Sequence, residues 1–354
     1  MPTLYVTEQG ARIEKEYKQI LVTLEGEVIQ AVRLRSIDEI VLIGSVGATT
    51  QALLALLDEG VGLTFITLSG KMRGRLSPSS LSNLELRLKQ YERQQDEAFC
   101  LAIAKSIVTG KLKNCRTMTR RILRKILRQS TADDTLSFSG QSLQTTSSNH
   151  LEDQINRLDM IIQKIDKAEN LDVLRGFEGI GAKLYFSVLK AGFHWDGERG
   201  FLTRQRRPPK DPLNAALSFG YSLLCQALIT AVEIVDLDPV AGFLHTNQYG
   251  RPSLALDLME EFRPLIVDSI ILRMVNHHIL KPKDFTETED GQVLFTKTGL
   301  KKFFSQFHQR LNTPVFHPWA GRTLTYQKCL EVQARLIRKV ITGEEPEYLP
   351  LLWK

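Results

Sequence analysis

The chain has 354 residues, 43% hydrophobic and 24% charged, with a formal net charge of +6 at pH 7. That length can hold two domains with separate cores, and the composition is that of an ordinary soluble globular protein, which sets aside disordered and fibrous classes. The four cysteines, Cys100, Cys115, Cys225 and Cys329, are scattered with no Cys-x-x-Cys, so a disulfide framework and a thiolate zinc site are not indicated and the thiols read as small buried hydrophobes.

From the N-terminus, Met-Pro-Thr-Leu-Tyr-Val-Thr-Glu lacks the basic and apolar regions of a signal peptide, and no apolar run reads as membrane-spanning. A cytoplasmic protein with no membrane partner is expected. Short strand-like runs follow at Leu4 to Thr7, Gln19 to Leu24, Glu27 to Leu34, Glu39 to Ile43 and Leu63 to Leu68, with turns at Gln9-Gly10, Glu25-Gly26 and Ser69-Gly70. One helix interrupts them, capped by Thr49 or Thr50 and stopping at Gly60. Gly44-Ser-Val-Gly-Ala-Thr-Thr before it lacks the spacing of a phosphate-binding loop and reads as a strand-to-helix turn. Ser77-Pro78-Ser79-Ser80 breaks the pattern. The fold class expected is α+β: a small, mostly antiparallel β domain over 1–80, then a larger all-α domain over 81–354.

Helical spacing predicts segments near 83–109, 113–128, 151–168, 171–192, 211–235, 253–280, 297–311 and 322–343. The second is strongly cationic: Arg116, Arg120 and Arg124 follow i, i+4 spacing, and Arg121, Lys125 and Arg128 form an adjoining stripe. The Ser/Thr-rich stretch from Gln129 to His150 is too polar to pack and reads as a surface loop or disordered insertion. Gly179-Ile-Gly181-Ala-Lys183 reads as a close helix contact, and Arg199, Arg204, Arg206, Arg207 and Lys210 give a second basic cluster in a Pro-rich loop. Either cluster alone is equally a solvated face. Two of them beside an acidic constellation point to a phosphate backbone.

That constellation lies between Gly242 and Pro264, with His245 in a Gly/Pro-punctuated loop and Asp257, Glu260 and Glu261 early in a helix. If Ser253 caps the helix, Asp257 and Glu260 fall at i and i+3, and two carboxylates converge near His245, a geometry suited to a divalent cation. Acidic residues at a helix start also complement its positive end, so a purely structural role stands beside the metal reading. Pro264 leaves the carbonyl of Glu260 without its donor and predicts a kink. Beyond it, a hairpin at Asp290-Gly291 is expected. His277 and His278 are adjacent and face apart, His194, His308 and His317 lack acidic or cysteine companions, and Trp195, Trp319 and Trp353 read as packing residues, with Trp195 near enough to the basic loop to stack on a base.

The chain resembles the CRISPR-associated spacer-acquisition integrases, the larger of the two core CRISPR adaptation proteins. The resemblance is carried by Gly-Phe-Leu-His at 242–245, Leu-Asp-Leu-Met-Glu-Glu-Phe-Arg-Pro at 256–264, Leu-Arg-Gly-Phe-Glu-Gly-Ile-Gly-Ala-Lys-Leu-Tyr-Phe at 174–186 and Arg-Arg-Pro-Pro-Lys-Asp-Pro-Leu-Asn-Ala-Ala-Leu-Ser-Phe-Gly-Tyr at 206–221. It implies that Glu178, His245 and Glu260 hold a catalytic Mg2+ or Mn2+, with Asp257 a further functional residue beside the ion. Some branches carry aspartate at the position of Glu260, and Glu261 has no family counterpart and reads as a surface or salt-bridging residue. The resemblance further implies a homodimer formed through the N-terminal domain and a higher complex with a small adaptation partner. The expected activity is insertion of spacer DNA by 3′-hydroxyl attack on phosphodiesters at a CRISPR repeat boundary. Arg204, Arg206, Arg207 and Lys210, together with Arg120, Arg124 and Arg128, are expected to hold DNA phosphates. A stand-alone metal-dependent nuclease and a non-catalytic nucleic-acid scaffold are the competing readings.

Overall fold

The computed structural model describes residues 3–76, 83–133, 141–205, 208–245 and 248–353, with backbone alone at 129–133 and 141–148. Two four-stranded sheets build the N-terminal part. The first runs in the order β1 (Thr3–Val6), β5 (Glu39–Ile43), β7 (Gly62–Ile66) and β8 (Met72–Leu76); the second runs β4 (Glu27–Arg33), β3 (Gln19–Leu24), β2 (Arg12–Glu16) and β6 (Gly47–Ala48). Helix α1 (Thr50–Asp58) follows β6, and the Thr49 hydroxyl caps it by accepting the Ala52 N–H at 3.2 Å. The meander β2–β3–β4 and the pair β7–β8 are antiparallel, whereas β1–β5, β5–β7 and β2–β6 are parallel. The expected small β-rich domain is present, and the parallel pairings add a detail that strand periodicity does not carry. The run Gly44 to Thr49 is the strand-to-helix connection expected of it, with Gly44 at φ +80°.

The helical part comprises α2 (Leu84–Gln95), α3 (Glu97–Asp133), α4 (Gln141–Lys164), α5 (Leu171–Gly192), α6 (Pro212–Ile234), α7 (Ser253–Arg263), α8 (Ser269–Asn276), α9 (Lys297–Leu311) and α10 (Tyr326–Thr342). Four boundaries differ from expectation. The break expected near 110 lies instead at Asp96, and Gly110 stays helical because Pro350 packs where a side chain would go, 2.4 Å from an ideal Cβ. Residues 129–133 and 141–150 are helical rather than a polar loop, as the ends of α3 and α4; residues 134–140 lie outside the described residues, as does the expected break at 77–80. The helix expected from 322 begins only at Tyr326, because Arg322–Thr325 pairs as a strand with Pro314–His317. The long helix from 253 is interrupted by a π-helical turn over Pro264–Asp268, where the missing N–H of Pro264 predicts a defect. A hairpin of Phe285–Glu287 with Val293–Phe295 surrounds Asp290-Gly291 as expected.

Helix α6, at 23 residues, is long and apolar enough to cross a membrane, which corrects the reading that no such run exists. Most of its side chains are buried in the protein's own core, from Leu213 to Val232. The four cysteines are buried too, as expected. A polar contact joins sheet to helices at Glu39 of β5, which is buried, accepts the hydroxyls of Thr64 and of Thr230 from α6 at 3.0 Å each, and faces Arg75 of β8, which pairs with Glu233 at 2.9 Å. Burial raises the Glu39 carboxyl above the usual carboxylate range, against the opposing pull of Arg75.

Helices α3 and α5 touch at Gly181, where a Cβ would meet the Leu112 methyl carbons at 2.7 and 2.8 Å. The expected close contact is therefore made by Gly181, while Gly179 faces open space. Gly181→Val is expected to destabilise the fold by about 1–3 kcal/mol, the usual cost of overpacking, and to shift the carboxylate at 178 one turn away. A urea unfolding midpoint unchanged from the parent would contradict this packing.

Candidate active site

Helix α3 carries an apolar stripe through Ala104, Ile107, Val108, Leu112, Cys115 and Met118, and Lys111 interrupts it. Its ammonium is buried and lies between two carboxylates, in a very short contact with Glu178 of α5 and 2.5 Å from Glu260 of α7. Glu260 also pairs with Arg263, one turn on, at 3.0 Å. Burial penalises the charge on Glu260, but Arg263, Lys111 and His245 together outweigh it and hold the carboxyl well below the usual range. Burial likewise disfavours the Lys111 cation, and Glu260 and Glu178 overcome it and raise its pKa. Lys111, Glu260 and Arg263 thus hold one another in their charged forms, a buried network in which each charge depends on its neighbours.

His245 joins from the loop before α7. Its Nδ1 lies 2.6 Å from Asp257 Oδ1, and its Nε2 lies 3.8 Å from Glu260 Oε1. Asp257 is fully buried and also accepts the backbone N–H groups of Phe243, Leu244 and His245 at 2.6, 2.9 and 3.0 Å. An acceptor this committed takes the proton of Nδ1 and leaves Nε2 as the ring nitrogen that faces Glu260. Asp257 and Glu260, at i and i+3, therefore take opposite edges of one imidazole, which corrects the expectation that both converge on one point. Ser253 does not cap the helix either; it is the first helical residue, and Pro252 is the N-cap. Gly242 is required where it stands, since a Cβ would lie 2.6 Å from the Ser253 carbonyl carbon and 2.8 Å from Asp257 Oδ2. The loop is held from behind by Gln90 on the Ala241 carbonyl at 2.9 Å, Gln94 on Gly242 at 2.8 Å, and Arg175 on Leu244 at 2.7 and 3.0 Å.

Glu261 is not a surface or salt-bridging residue. It is 1% exposed and accepts Gln333 and Tyr348 on Oε1 at 2.7 and 2.8 Å, and the Leu351 N–H on Oε2 at 2.8 Å, tying the C-terminal segment to α7. Burial raises its carboxyl to about 7. Asp268, at the end of the π turn, is fully buried and accepts the hydroxyls of Tyr185 and Tyr221 at 2.6 and 2.5 Å; burial raises it to about 6 despite those two donors. A raised carboxyl stabilises the fold fully below the unfolded value and loses that contribution as pH rises through the folded one. Stability is therefore expected to fall by about 2–3 kcal/mol between pH about 4 and 6 from Asp268, with Glu261 extending the same slope toward pH about 7. Asp268→Asn should flatten the lower part in urea unfolding at stepped pH, and an unchanged slope would contradict the assignment.

Of the basic residues, Arg204 donates to Asn214 Oδ1 at 2.8 Å and Ser218 Oγ at 3.0 Å, and its guanidinium lies 5.4 Å from the Tyr221 ring. Arg263 lies over the same ring at 4.9 Å, so the basic loop is anchored beside the acidic cluster. Lys210 is exposed; Arg206 and Arg207 lie outside the described residues. On α3, Arg116 and Arg120 both pair with Asp159 of α4, at 3.1 and 2.7 Å, so one cationic stripe is partly neutralised, while Arg124 and Arg128 are exposed. Trp195 packs edge-on to Phe285 with ring centres 6.0 Å apart, a packing role.

Two carboxylates and one imidazole nitrogen form a donor set that suits a hard cation such as magnesium or manganese. Among the described residues no three His, Cys, Asp or Glu side chains stand close enough to hold a metal as arranged, and the Lys111 ammonium lies between Glu178 and Glu260. Glu260 Oε2 faces the Lys111 ammonium there at 2.5 Å. The residues fit a cation at this point: the carboxylates are already gathered about one positive charge.

A small β-rich domain feeding a helical domain, with a buried carboxylate–imidazole cluster and cationic segments beside it, defines an architecture that the comparisons place. The family model described as CRISPR associated protein Cas1 matches residues 4–309. The chain belongs to the Cas1 family. It is 32% identical over 354 residues to the CRISPR-associated endonuclease Cas1 2 of Rhodospirillum rubrum, covering 99% of this chain and 98% of that protein. It is 35% identical over 352 residues to a CRISPR-associated exonuclease Cas4/endonuclease Cas1 fusion of Geobacter sulfurreducens, covering 98% of this chain and 59% of that longer protein. Its fold is similar to that of a casposase bound to integration product, with a TM-score of 0.78 at 22% identity, covering 99% of this chain and 93% of the other.

Proposed function

We propose that this protein is a metal-dependent DNA integrase and endonuclease that inserts spacer DNA into a CRISPR array, with Glu178, His245 and Glu260 as the cation ligands. The observation that supports the reading is the place of Glu260, whose Oε2 meets the same Lys111 ammonium as Glu178 and whose Oε1 lies 3.8 Å from His245 Nε2. A bound Mg2+ or Mn2+ would supply Lewis acidity to a phosphodiester. The protein's own groups have separate tasks. Asp257 is a positioning residue that orients His245 through Nδ1 and leaves Nε2 to bind. Arg263 keeps Glu260 ionised and in place. Arg204, Arg206, Arg207 and Lys210, with Arg120, Arg124 and Arg128, hold DNA phosphates by contacts that carry no sequence information. In strand joining the incoming 3′-hydroxyl oxygen bonds to phosphorus as the bond to the repeat's own 3′ oxygen breaks; one ester replaces another, and the proton lost by the attacker is balanced by the one the leaving oxygen gains. With water as attacker the same arrangement cuts DNA.

We further propose a homodimer through the N-terminal domain, acting in the cytoplasm with a small adaptation partner. Strand β4 supports the dimer, since it is the outer strand of its sheet and leaves Val28 and Ile29 at 55% and 46% exposure.

The test is joining of a short duplex with free 3′ hydroxyls to a supercoiled plasmid bearing a CRISPR repeat, in Mn2+ or Mg2+, by the intact chain and by His245→Ala. The expected result is joined product that needs the metal and falls by at least about 100-fold in the variant. Cleavage without joining would reduce the proposal to a nuclease, and equal product from both proteins would overturn it.

A further inference from the structure

Lys111 is 6% exposed, and the buried α3 side chains around it, such as Val108, Leu112 and Asn114, are uncharged. An ammonium buried among such groups is unfavourable unless anions meet it. Among the described residues its partners are Glu178 of α5 and Glu260 of α7, the second at 2.5 Å.

The two carboxylates are held unequally. Glu260 also has Arg263 at 3.0 Å and faces His245 Nε2 at 3.8 Å, whereas Glu178 has, among the described residues, the Lys111 ammonium alone. Glu178 is also the more open of the pair, its side chain 26% exposed against 4% for Glu260. The ammonium therefore screens two carboxylate oxygens that would otherwise repel across one gap, and the Glu178 side of that gap is the one that meets solvent. Lysine suits such a place because its charge is compact and sits on a flexible four-carbon stem that can withdraw without moving the helix. The planar guanidinium of arginine would instead lock onto carboxylates through paired hydrogen bonds.

We propose that Lys111 is a displaceable counter-cation, a role that rests on the cation site proposed for these carboxylates: it keeps Glu178 and Glu260 together before the metal arrives and yields their facing oxygens to the ion. Two positive charges cannot both stand between the same two oxygens. A divalent ion entering the gap must break both Lys111 contacts, and that cost lowers the affinity of the intact chain for the metal. A salt bridge with a purely structural role differs in its consequence: losing it weakens the fold and does not raise the metal affinity.

The experiment is titration of Mn2+, followed by electron paramagnetic resonance of the free ion, into the intact chain, Lys111→Met, Lys111→Arg and Glu178→Gln, with a thermal melt of each with and without the ion. Lys111→Met is expected to bind Mn2+ at least about tenfold more tightly than the parent, because a competing charge has gone. It should melt below the parent without the ion and gain more from saturating Mn2+ than the parent gains. Lys111→Arg, which keeps the charge, should bind no more tightly than the parent. Tighter binding in Lys111→Arg as well would tie the gain to altered packing and overturn the role. So would an affinity in Lys111→Met equal to or below that of the parent, and if Glu178→Gln still removes the parent's site, the metal reading stands without the counter-cation. Equal affinity in the parent and in Glu178→Gln would overturn both. Should Lys111→Met fail to fold, a crystal structure of the intact chain with Mn2+ decides: Lys111 Nζ withdrawn from Glu178 and Glu260 supports the role, and Nζ still between them overturns it.

Discussion

Glu178→Gln is expected to lower both strand joining and DNA cleavage by at least about 100-fold, with little change in the fold. The substitution keeps the size of the side chain and removes one of two carboxylates proposed to face the cation. Stability should move by no more than about 1 kcal/mol, because the side chain is 26% exposed and Lys111 retains Glu260 as its partner. Initial rates of plasmid joining together with a thermal melt check both halves. Activity within about threefold of the parent would remove Glu178 from the reaction.

Glu260→Gln should act on activity and on stability together. Glu260 is 3% exposed and answers two buried cations, Lys111 and Arg263. Deleting its charge leaves Arg263 without its carboxylate in the interior, and breaking such a buried pair costs about 3–5 kcal/mol. Glu260→Asp keeps the charge one methylene short and should recover part of that loss. Urea unfolding at pH 7 measures the difference; a loss below about 1 kcal/mol in Glu260→Gln would mean that the pair is solvated and the ionised network does not exist.

Much of this arrangement is legible in the residues. The Asp257 and Glu260 spacing places both on one face of α7, His245 lies in the loop that meets them, and Pro264 marks the interruption that becomes the π turn. The helix periods around Leu151 and the Thr49 cap are likewise local signals that the packed structure keeps. What sequence order hides is pairing across distance. Lys111 gives a signal once it is placed on its helix, because a lysine within the stripe from Ala104 to Met118 must be buried and needs an anion; the stripe does not say that the anions are Glu178 and Glu260. Glu261 stands next to a residue of the cluster, and only the helical rotation that turns it toward Tyr348 and Leu351 separates their roles. The strand at Arg322–Thr325 has four residues and borrows its pairing from a segment that carries no strong strand signal alone. Parallel partners such as β1 and β5 are distant in sequence, so no turn between them announces the pairing.

The central claim is that Glu178, His245 and Glu260 share one cation. Titration of Mn2+ into the metal-free intact chain, followed by electron paramagnetic resonance of the free ion, tests it most directly. The account predicts one site per chain that is lost or weakened by at least about tenfold in Glu178→Gln while the melting temperature is retained. Equal stoichiometry and affinity in the parent and in Glu178→Gln would contradict it.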